Sequence, residues 1–283
     1  MATAPSPSPC PTAKIRILIF VPMYNCARQI GRVVSQCEKA CAAGVDLAVL
    51  LIDNRSRDDT LVAARTALAT AALPEAWLLQ NNDNYGLGGS HKVAFGFARD
   101  HGFDHVIVLH GDDQGSLADI VPLLVAGEHV LVDALLGARF QPGARLQGYS
   151  LLRTVANRVF NLVFSAVAGR RLYDLGSGLN LFRTAIFDDD WHLRYADDLT
   201  FNYYLILGLV HHRRTLRFFP ITWREDDQVS NAKLTSQGQR MLRLLAGRVG
   251  SPRAFFAGEH RSVVRDAYPA TLVWHSAMAE AAA

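Results

Sequence analysis

Long apolar runs, cysteines and an excess of one charge are all scarce in this chain of 283 residues. The longest apolar stretches, Ile15–Tyr24 and Val45–Ile52, fall short of the roughly 18 residues that cross a bilayer, so no membrane span is expected. Four cysteines, Cys10, Cys26, Cys37 and Cys41, lie in the first 41 residues without CxxC or other metal-like spacing. They exclude a disulfide scaffold and fit a reducing cytosol; Cys37 and Cys41 read as small core residues rather than a redox pair. The 29 basic and 26 acidic side chains leave a net charge of +3, with arginines scattered through the second half. Such a small surplus gives no support to nucleic-acid binding. Residues Met1 to Ala13 are rich in Pro, Ser, Ala and Thr, without the basic start or apolar run of a signal peptide, and read as a flexible tail. A cytoplasmic protein, at most peripheral at a membrane, is expected.

From Ile15 onward, short aliphatic runs alternate with segments of helical period. Ile15–Pro22, Leu47–Asp53, Ala76–Gln80, His105–His110 and Val130–Leu136 read as buried strands. Arg28–Ala42, Asp58–Ala69, Gly88–His101 and Ser116–Ala126 read as the helices between them, Asp58 and Ser116 being cap-forming residues. This repetition predicts an α/β fold: a Rossmann-like, mostly parallel central sheet with helices on both faces and its ligands beyond the carboxyl ends of the strands. After Gly137 come an amphipathic segment (Leu151–Ala168), a Gly-rich turn (Asp174–Asn180), an acidic patch, an aromatic strand (Leu216–Thr222) and a basic helix-like run (Lys233–Arg248). All of this reads as one domain over 14–249, followed by a tail of uncertain structure over 250–283.

Polar residues collect at the strand ends. Asp112, Asp113 and Gln114, closing the fourth strand, form a hard-oxygen group able to hold Mg²⁺ or Mn²⁺ beside phosphate oxygens, or else they cap the next helix. His110 is a metal ligand, a supporting donor or a buried structural residue. Asn84 to Ser90 is a poor dinucleotide-binding loop, since it does not follow the first strand and lacks a ribose-binding acid. It reads either as a glycine-rich helix start whose N–H groups approach phosphate with Lys92 adding charge, or as a tight turn with a surface lysine.

Together these strand ends resemble the family 2 glycosyltransferases of the GT-A fold, in the dolichyl-phosphate mannose synthase-like, polyprenyl-phosphate branch. Val21-Pro22-Met23-Tyr24-Asn25 is similar to VPxYN, Asp53 to Thr60 to DDxSxDxT, Asn84-Tyr85-Gly86 to NxG and His110 to Gln114 to DADxQ. Gly137 to Phe140 is similar to GSRY, Asp174 to Arg183 to DxxSGFRLFR and Arg224 to Lys233 to RxxGxSK. The resemblance implies a nucleotide pocket lined by Pro22, Tyr24, Asn25, Asp53 and Asn54, with a metal on Asp112 and Gln114. It also implies that Arg139, Arg153 and Arg224 face phosphates, and that Asp197 and Asp198 form an acidic pair of which Asp198 is the candidate base. Four departures stand out: His110 replaces an aspartate of the metal motif, Asn157 a common serine and Asn54 the second aspartate of the base segment, and Gln228 to Asn231 lacks the usual glycine. An Asn54 carbonyl suits the N3–H of uracil or thymine, favouring a UDP- or dTDP-sugar.

The activity implied is metal-dependent, inverting sugar transfer to a polyprenyl phosphate or a soluble hydroxyl acceptor. The alternative is a nucleotide-sugar-binding protein of the same fold with impaired catalysis; a dehydrogenase would rest on the glycine loop alone. The stripe Leu151, Leu152, Val155, Val159, Phe160, Leu162, Val163, Phe164 and Val167, punctuated by Arg153, Arg158, Arg170 and Arg171, suits a membrane-surface helix or core packing.

Overall fold

The computed structural model describes residues 14–225 and 234–277. In chain order the elements are β1 (Ile17–Met23), α1 (Ile30–Cys41), β2 (Leu47–Asp53), α2 (Thr60–Thr70), β3 (Ala76–Asn81) and α3 (Gly86–Asp100). There follow β4 (His105–Leu109), α4 (Val121–Val125), β5 (Ala134–Ala138), β6 (Arg145–Gln147), α5 (Leu151–Ala168) and β7 (Leu179–Arg183). The chain continues with α6 (Phe201–His211), β8 (Leu216–Pro220), β9 (Thr222–Arg224), α7 (Leu234–Gly250), α8 (Pro252–Ala257) and β10 (Ala270–His275). The expected tail over 1–13 and the motif residues Gln228 to Asn231 lie outside the described residues.

Eight strands form one sheet in the order β10-β3-β2-β1-β4-β7-β5-β8. β3, β2, β1 and β4 run parallel, and β5 pairs in parallel with β8. β1 and β2 are buried along their whole length because helices cover both faces, which explains their unbroken aliphatic sequences. Ile17, Ile19 and Val21 pack with α1 and α2 on one face, Leu18 and Phe20 with α3 and α6 on the other. Cys26 and Cys37 belong to the same core; burial pushes the Cys26 thiol up to about 12 and Cys37 higher still, so both are inert.

β7 runs antiparallel between β4 and β5, with Leu179 opposite Leu109. That reversal brings the start of β7, and the glycine-rich turn before it, to the carboxyl end of β4.

Two expectations change. The helix expected over Ser116–Ala126 is a 3₁₀ turn at Leu117–Asp119 followed by the single turn α4, where Pro122 supplies no N–H to continue the ladder. Beyond Gly250, where no period was visible, the chain forms α8 and then β10, an antiparallel edge strand on β3. A register shift between Leu272 and Trp274 breaks the two-residue alternation that would have marked the strand.

Candidate active site

The carboxyl ends of β1 and β4 cross closely. The Gly111 N–H donates to the Pro22 carbonyl at 3.1 Å, and a Cβ at Gly111 would lie 2.9 Å from that oxygen. His110 packs against Gly178, where a Cβ would come within 2.7 Å of the imidazole, and its buried Nε2 has no hydrogen-bond partner among the described residues. Burial lowers its pKa to about 4, leaving a neutral ring with a lone pair to offer. Asp112 is partly exposed, yet desolvation pushes its carboxyl up to about 6; it accepts a hydrogen bond from the Gln114 N–H at 3.2 Å. No ion pair is formed by Asp112 among the described residues. Asp113 faces the opposite way. In a left-handed conformation (φ 59°), it accepts from Arg32 Nε at 2.6 Å, Gln36 Nε2 at 2.7 Å and Arg224 at 3.1 Å. Asp113 is therefore an anchor for α1 and β9, and Asp112 is the carboxylate free for a cation.

Among the described residues no three His, Cys, Asp or Glu side chains converge. Asp112, with His110 and Gln114 beside it in the chain, fits a hard divalent ion only if substrate oxygens complete its shell. A desolvated carboxylate without a cation and an orphaned imidazole nitrogen are the observations in favour of that fit.

On the nucleotide side, the β1 and β2 ends are laced together. Arg57 N donates to Asn25 Oδ1 at 2.8 Å, Asn25 N to Ser56 Oγ at 3.0 Å and Asn54 N to Met23 O at 2.9 Å. Pro22 is buried, and Tyr24 stands 41 % exposed at the lip, where a ring can stack on a base. Asp53 is buried, accepting from Gln80 Nε2 at 2.9 Å and from the Ser56 N–H at 3.3 Å. Asn54 departs from expectation. Its Oδ1 accepts from both Asn81 Nδ2 and Tyr85 N at 2.9 Å, and its Nδ2 donates to Asn84 at 2.9 Å. Both lone pairs are occupied, so the amide is committed to holding the β3–α3 loop and offers no acceptor to a uracil N3–H.

The three arginines expected at phosphates each meet a carboxylate. Arg139 is buried and forks onto Asp174 (Nε–Oδ2 2.7 Å, Nη2–Oδ1 2.9 Å), which also accepts the Arg139 N–H. Arg153 pairs with Glu225 and lies over the Tyr149 ring; Arg224 pairs with Asp113. Arg153 and Arg224 keep part-exposed heads (side chains 30 % and 42 % exposed), whereas Arg139 has its charge matched inside the protein. Asn157 donates to the Tyr149 hydroxyl at 3.0 Å.

Lys92 and Asp197, expected at a phosphate and in the acidic pair, are buried against each other. Lys92 Nζ donates to Asp197 Oδ1 and to the Tyr195 carbonyl, both at 2.6 Å, with the Tyr268 hydroxyl at 3.2 Å. Desolvation lowers the lysine to about 8. The α3 N-terminus is also occupied: Gly88 and Gly89 donate to the Asp197 carbonyl at 2.7 and 3.3 Å, where a phosphate was expected. Lys92 is thus a correction. The glycines are there because residues 196–201 cross α3, and a Cβ on Gly88 would sit 2.5 Å from the Ala196 carbonyl oxygen. Asp198, by contrast, is 45 % exposed. Its Oδ1 accepts from Thr200 N at 2.8 Å and Thr200 Oγ1 at 2.5 Å, and its Oδ2 pairs with Arg240 at 2.7 Å.

Sequence reasoning missed Gln36, Asn81, Tyr85, Arg265 and Tyr268. The run Gln80-Asn81-Asn82-Asp83-Asn84 was a visible signal, since a strand ending in amides announces side-chain-to-backbone bonding. Tyr268 and Arg265 reach Asp197 from beyond the last periodic segment, at 2.8 and 3.6 Å, and carried no signal.

Residues 18–191 match the glycosyl transferase family 2. The chain is similar to the dodecaprenyl-phosphate galacturonate synthase of Rhizobium johnstonii, 26 % identical over 180 residues, covering 62 % of this chain and 50 % of that one. It therefore spans about half the length of that curated relative. Among solved structures it is similar to glucosyl-3-phosphoglycerate synthase from Mycobacterium tuberculosis in complex with UDP (15 % identity, TM-score 0.60, 85 % of this chain and 82 % of that one). The same enzyme with Mn²⁺, UDP-glucose and phosphoglyceric acid gives 14 % identity, a TM-score of 0.58, and 85 % and 81 % coverage. At such identities the structural likeness establishes the fold. With the family match spanning more than half of the sequence, the chain belongs to glycosyl transferase family 2.

Proposed function

We propose that the chain transfers a sugar from a nucleoside-diphosphate sugar, with inversion, to the phosphate of a polyprenyl phosphate at a membrane surface. The observation that carries the acceptor is α5. Leu151, Leu152 and Leu162 are each more than 70 % exposed, and Val155 and Val159 more than half, while Phe160, Phe164 and Val167 pack on the core, so the helix buries one side and leaves an apolar side bare. Neither α5 nor α7 contains an acidic residue, while Arg153, Arg158, Arg240, Arg243 and Arg248 lie on them. An apolar face on helices whose own charged side chains are all arginines suits an anionic bilayer interface. By length and composition alone α5 is long and apolar enough to cross a membrane; its two arginines suit the interface better. The similarity to a dodecaprenyl-phosphate enzyme supports the same acceptor.

For the donor, Tyr24 would stack on the base and Asp53 would read the nucleoside. Uridine is favoured by the UDP complexes of the structural relatives, the Asn54 oxygen being already occupied within the protein. Asp112, with His110 and Gln114, would hold Mg²⁺ or Mn²⁺, and such an ion neutralises a departing diphosphate. Arg153 and Arg224, at the same edge, would steady phosphate oxygens. A phosphate nucleophile is already anionic and needs orientation rather than deprotonation.

A second reading, a soluble hydroxyl acceptor as in the phosphoglyceric acid complex, is favoured by Asp198, the exposed carboxylate able to take a proton. Vesicle co-sedimentation separates the two. On the first reading the protein pellets with phosphatidylglycerol-containing vesicles, and Leu151→Glu with Leu152→Glu weakens binding by at least about tenfold without lowering the unfolding temperature. Wild-type protein that stays in the supernatant at low salt contradicts it.

A further inference from the structure

The chain between α8 and β10, residues 258–269, lies against the loop that joins β3 to α3. The Pro269 carbonyl accepts from the Asn82 N–H at 3.1 Å and from the Tyr85 hydroxyl at 2.9 Å, so one carbonyl grips the loop at two points. Thr271 Oγ1 donates to Asn82 Oδ1 at 2.8 Å. Arg265 Nη2 donates to Asp83 Oδ2 at 3.0 Å, with its guanidinium 5.2 Å from the centre of the Tyr85 ring, and the Tyr268 ring meets Tyr85 edge to face at 5.3 Å.

Asp197 fixes the other side of the same loop. Its carbonyl takes the Gly88 N–H, and a Cβ at Gly86 (φ 72°) would stand 2.4 Å from that oxygen, so the loop closes here only as glycine. Its buried carboxylate accepts from Lys92 and, at 2.8 Å, from the Tyr268 hydroxyl, with Arg265 Nη1 3.6 Å away. Arg265 and Tyr268 thus touch both walls, Asp83 and Tyr85 on one and Asp197 on the other. The Arg265–Asp83 pair, exposed on its acidic side, adds little stability by itself; its effect is to fix where the loop lies. From the loop, hydrogen bonds continue without a gap to the nucleotide side: the Tyr85 N–H donates to Asn54 Oδ1 and the Asn54 N–H to the Met23 carbonyl, both at 2.9 Å, next to Asp53.

We propose that Arg265 and Tyr268 are positioning residues for donor binding, on the reading that the donor is a nucleoside-diphosphate sugar seated at these strand ends. They clamp the β3–α3 loop in one conformation, and the loop, through Tyr85 and Asn54, sets the ends of β1 and β2 that receive the nucleotide. Neither side chain needs to touch the ligand. A loop ordered beforehand binds at full affinity, whereas one clamped for about a tenth of the time binds about tenfold more weakly.

The test compares the full wild-type chain with Arg265→Gln, Tyr268→Leu and Asp133→Asn by calorimetric titration with UDP and Mn²⁺, thermal melts, and amide hydrogen exchange over residues 82–89. Asp133 accepts from Thr215 at the amino ends of β5 and β8, the opposite edge of the sheet, and its variant controls for stability alone. At a temperature well below every melt, Arg265→Gln and Tyr268→Leu weaken UDP binding by about tenfold and speed exchange over 82–89 by at least about tenfold. Asp133→Asn lowers Tm and leaves both unchanged. An equal loss of UDP affinity in Asp133→Asn, or unchanged UDP affinity in both Arg265→Gln and Tyr268→Leu, overturns the positioning role. Unchanged exchange over 82–89 overturns the clamp, whatever the nucleotide does. A wild type that binds neither UDP nor dTDP, with the loop still freed in both variants, refutes the donor reading alone and leaves the clamp standing.

Discussion

Asp112→Asn is expected to lower kcat for sugar transfer on the order of a thousandfold while leaving the fold intact. The replacement keeps the shape of the side chain and removes a carboxylate at the β1–β4 crossing that forms no ion pair among the described residues. It also removes a desolvated charge, so the unfolding temperature stays level or rises. Asp113→Asn is the informative comparison. That side chain holds Arg32, Gln36 and Arg224, so its loss loosens α1 and β9 and shows first as lower stability. Steady-state kinetics over a Mn²⁺ titration, alongside thermal melts, tells the two apart. Turnover by Asp112→Asn with unchanged metal dependence would remove Asp112 from the site.

Arg139→Met is expected to destabilise the protein by about 3–5 kcal/mol, because it strands Asp174 as a buried, unpaired carboxylate. For a chain of this size that corresponds to a fall of roughly 10 °C in Tm. The guanidinium makes two side-chain bonds to Asp174 and lies 5.0 Å from the Trp223 ring, so packing is lost as well as charge. A double variant, Arg139→Met with Asp174→Leu, recovers much of the loss, as expected where desolvation rather than attraction dominates. Urea unfolding of the three variants checks this, and a single-variant cost below about 1 kcal/mol would show that Arg139 is not held as described.

The parallel half of the sheet was legible because buried strands have unbroken aliphatic sequence and end in Asp53 or in His110 to Gln114. Those ends also placed Asp112 and Tyr24 at one edge. What could not be read was how each polar group is used. Asn54 had the chemistry to meet a base, and only the positions of Asn81 and Tyr85 show that its oxygen is already occupied. Lys92 follows a glycine-rich turn in the manner of a phosphate-binding lysine, but Asp197 arrives from 105 residues away to claim it. Helical period likewise cannot tell a face that packs from one that lies bare, so the apolar stripe of α5 fitted two surroundings until its exposure was known. β10 was hidden by its own bulge.

The most direct test of the account is transfer of radiolabelled sugar from a UDP-sugar series to a short-chain polyprenyl phosphate in anionic vesicles, with and without Mn²⁺. Mn²⁺-dependent label is expected in the organic-extractable lipid phosphate, with release of UDP in equal amount. Tight binding of the nucleotide sugar with no UDP released, whether the acceptor is lipid phosphate or glycerol 3-phosphate, would contradict it.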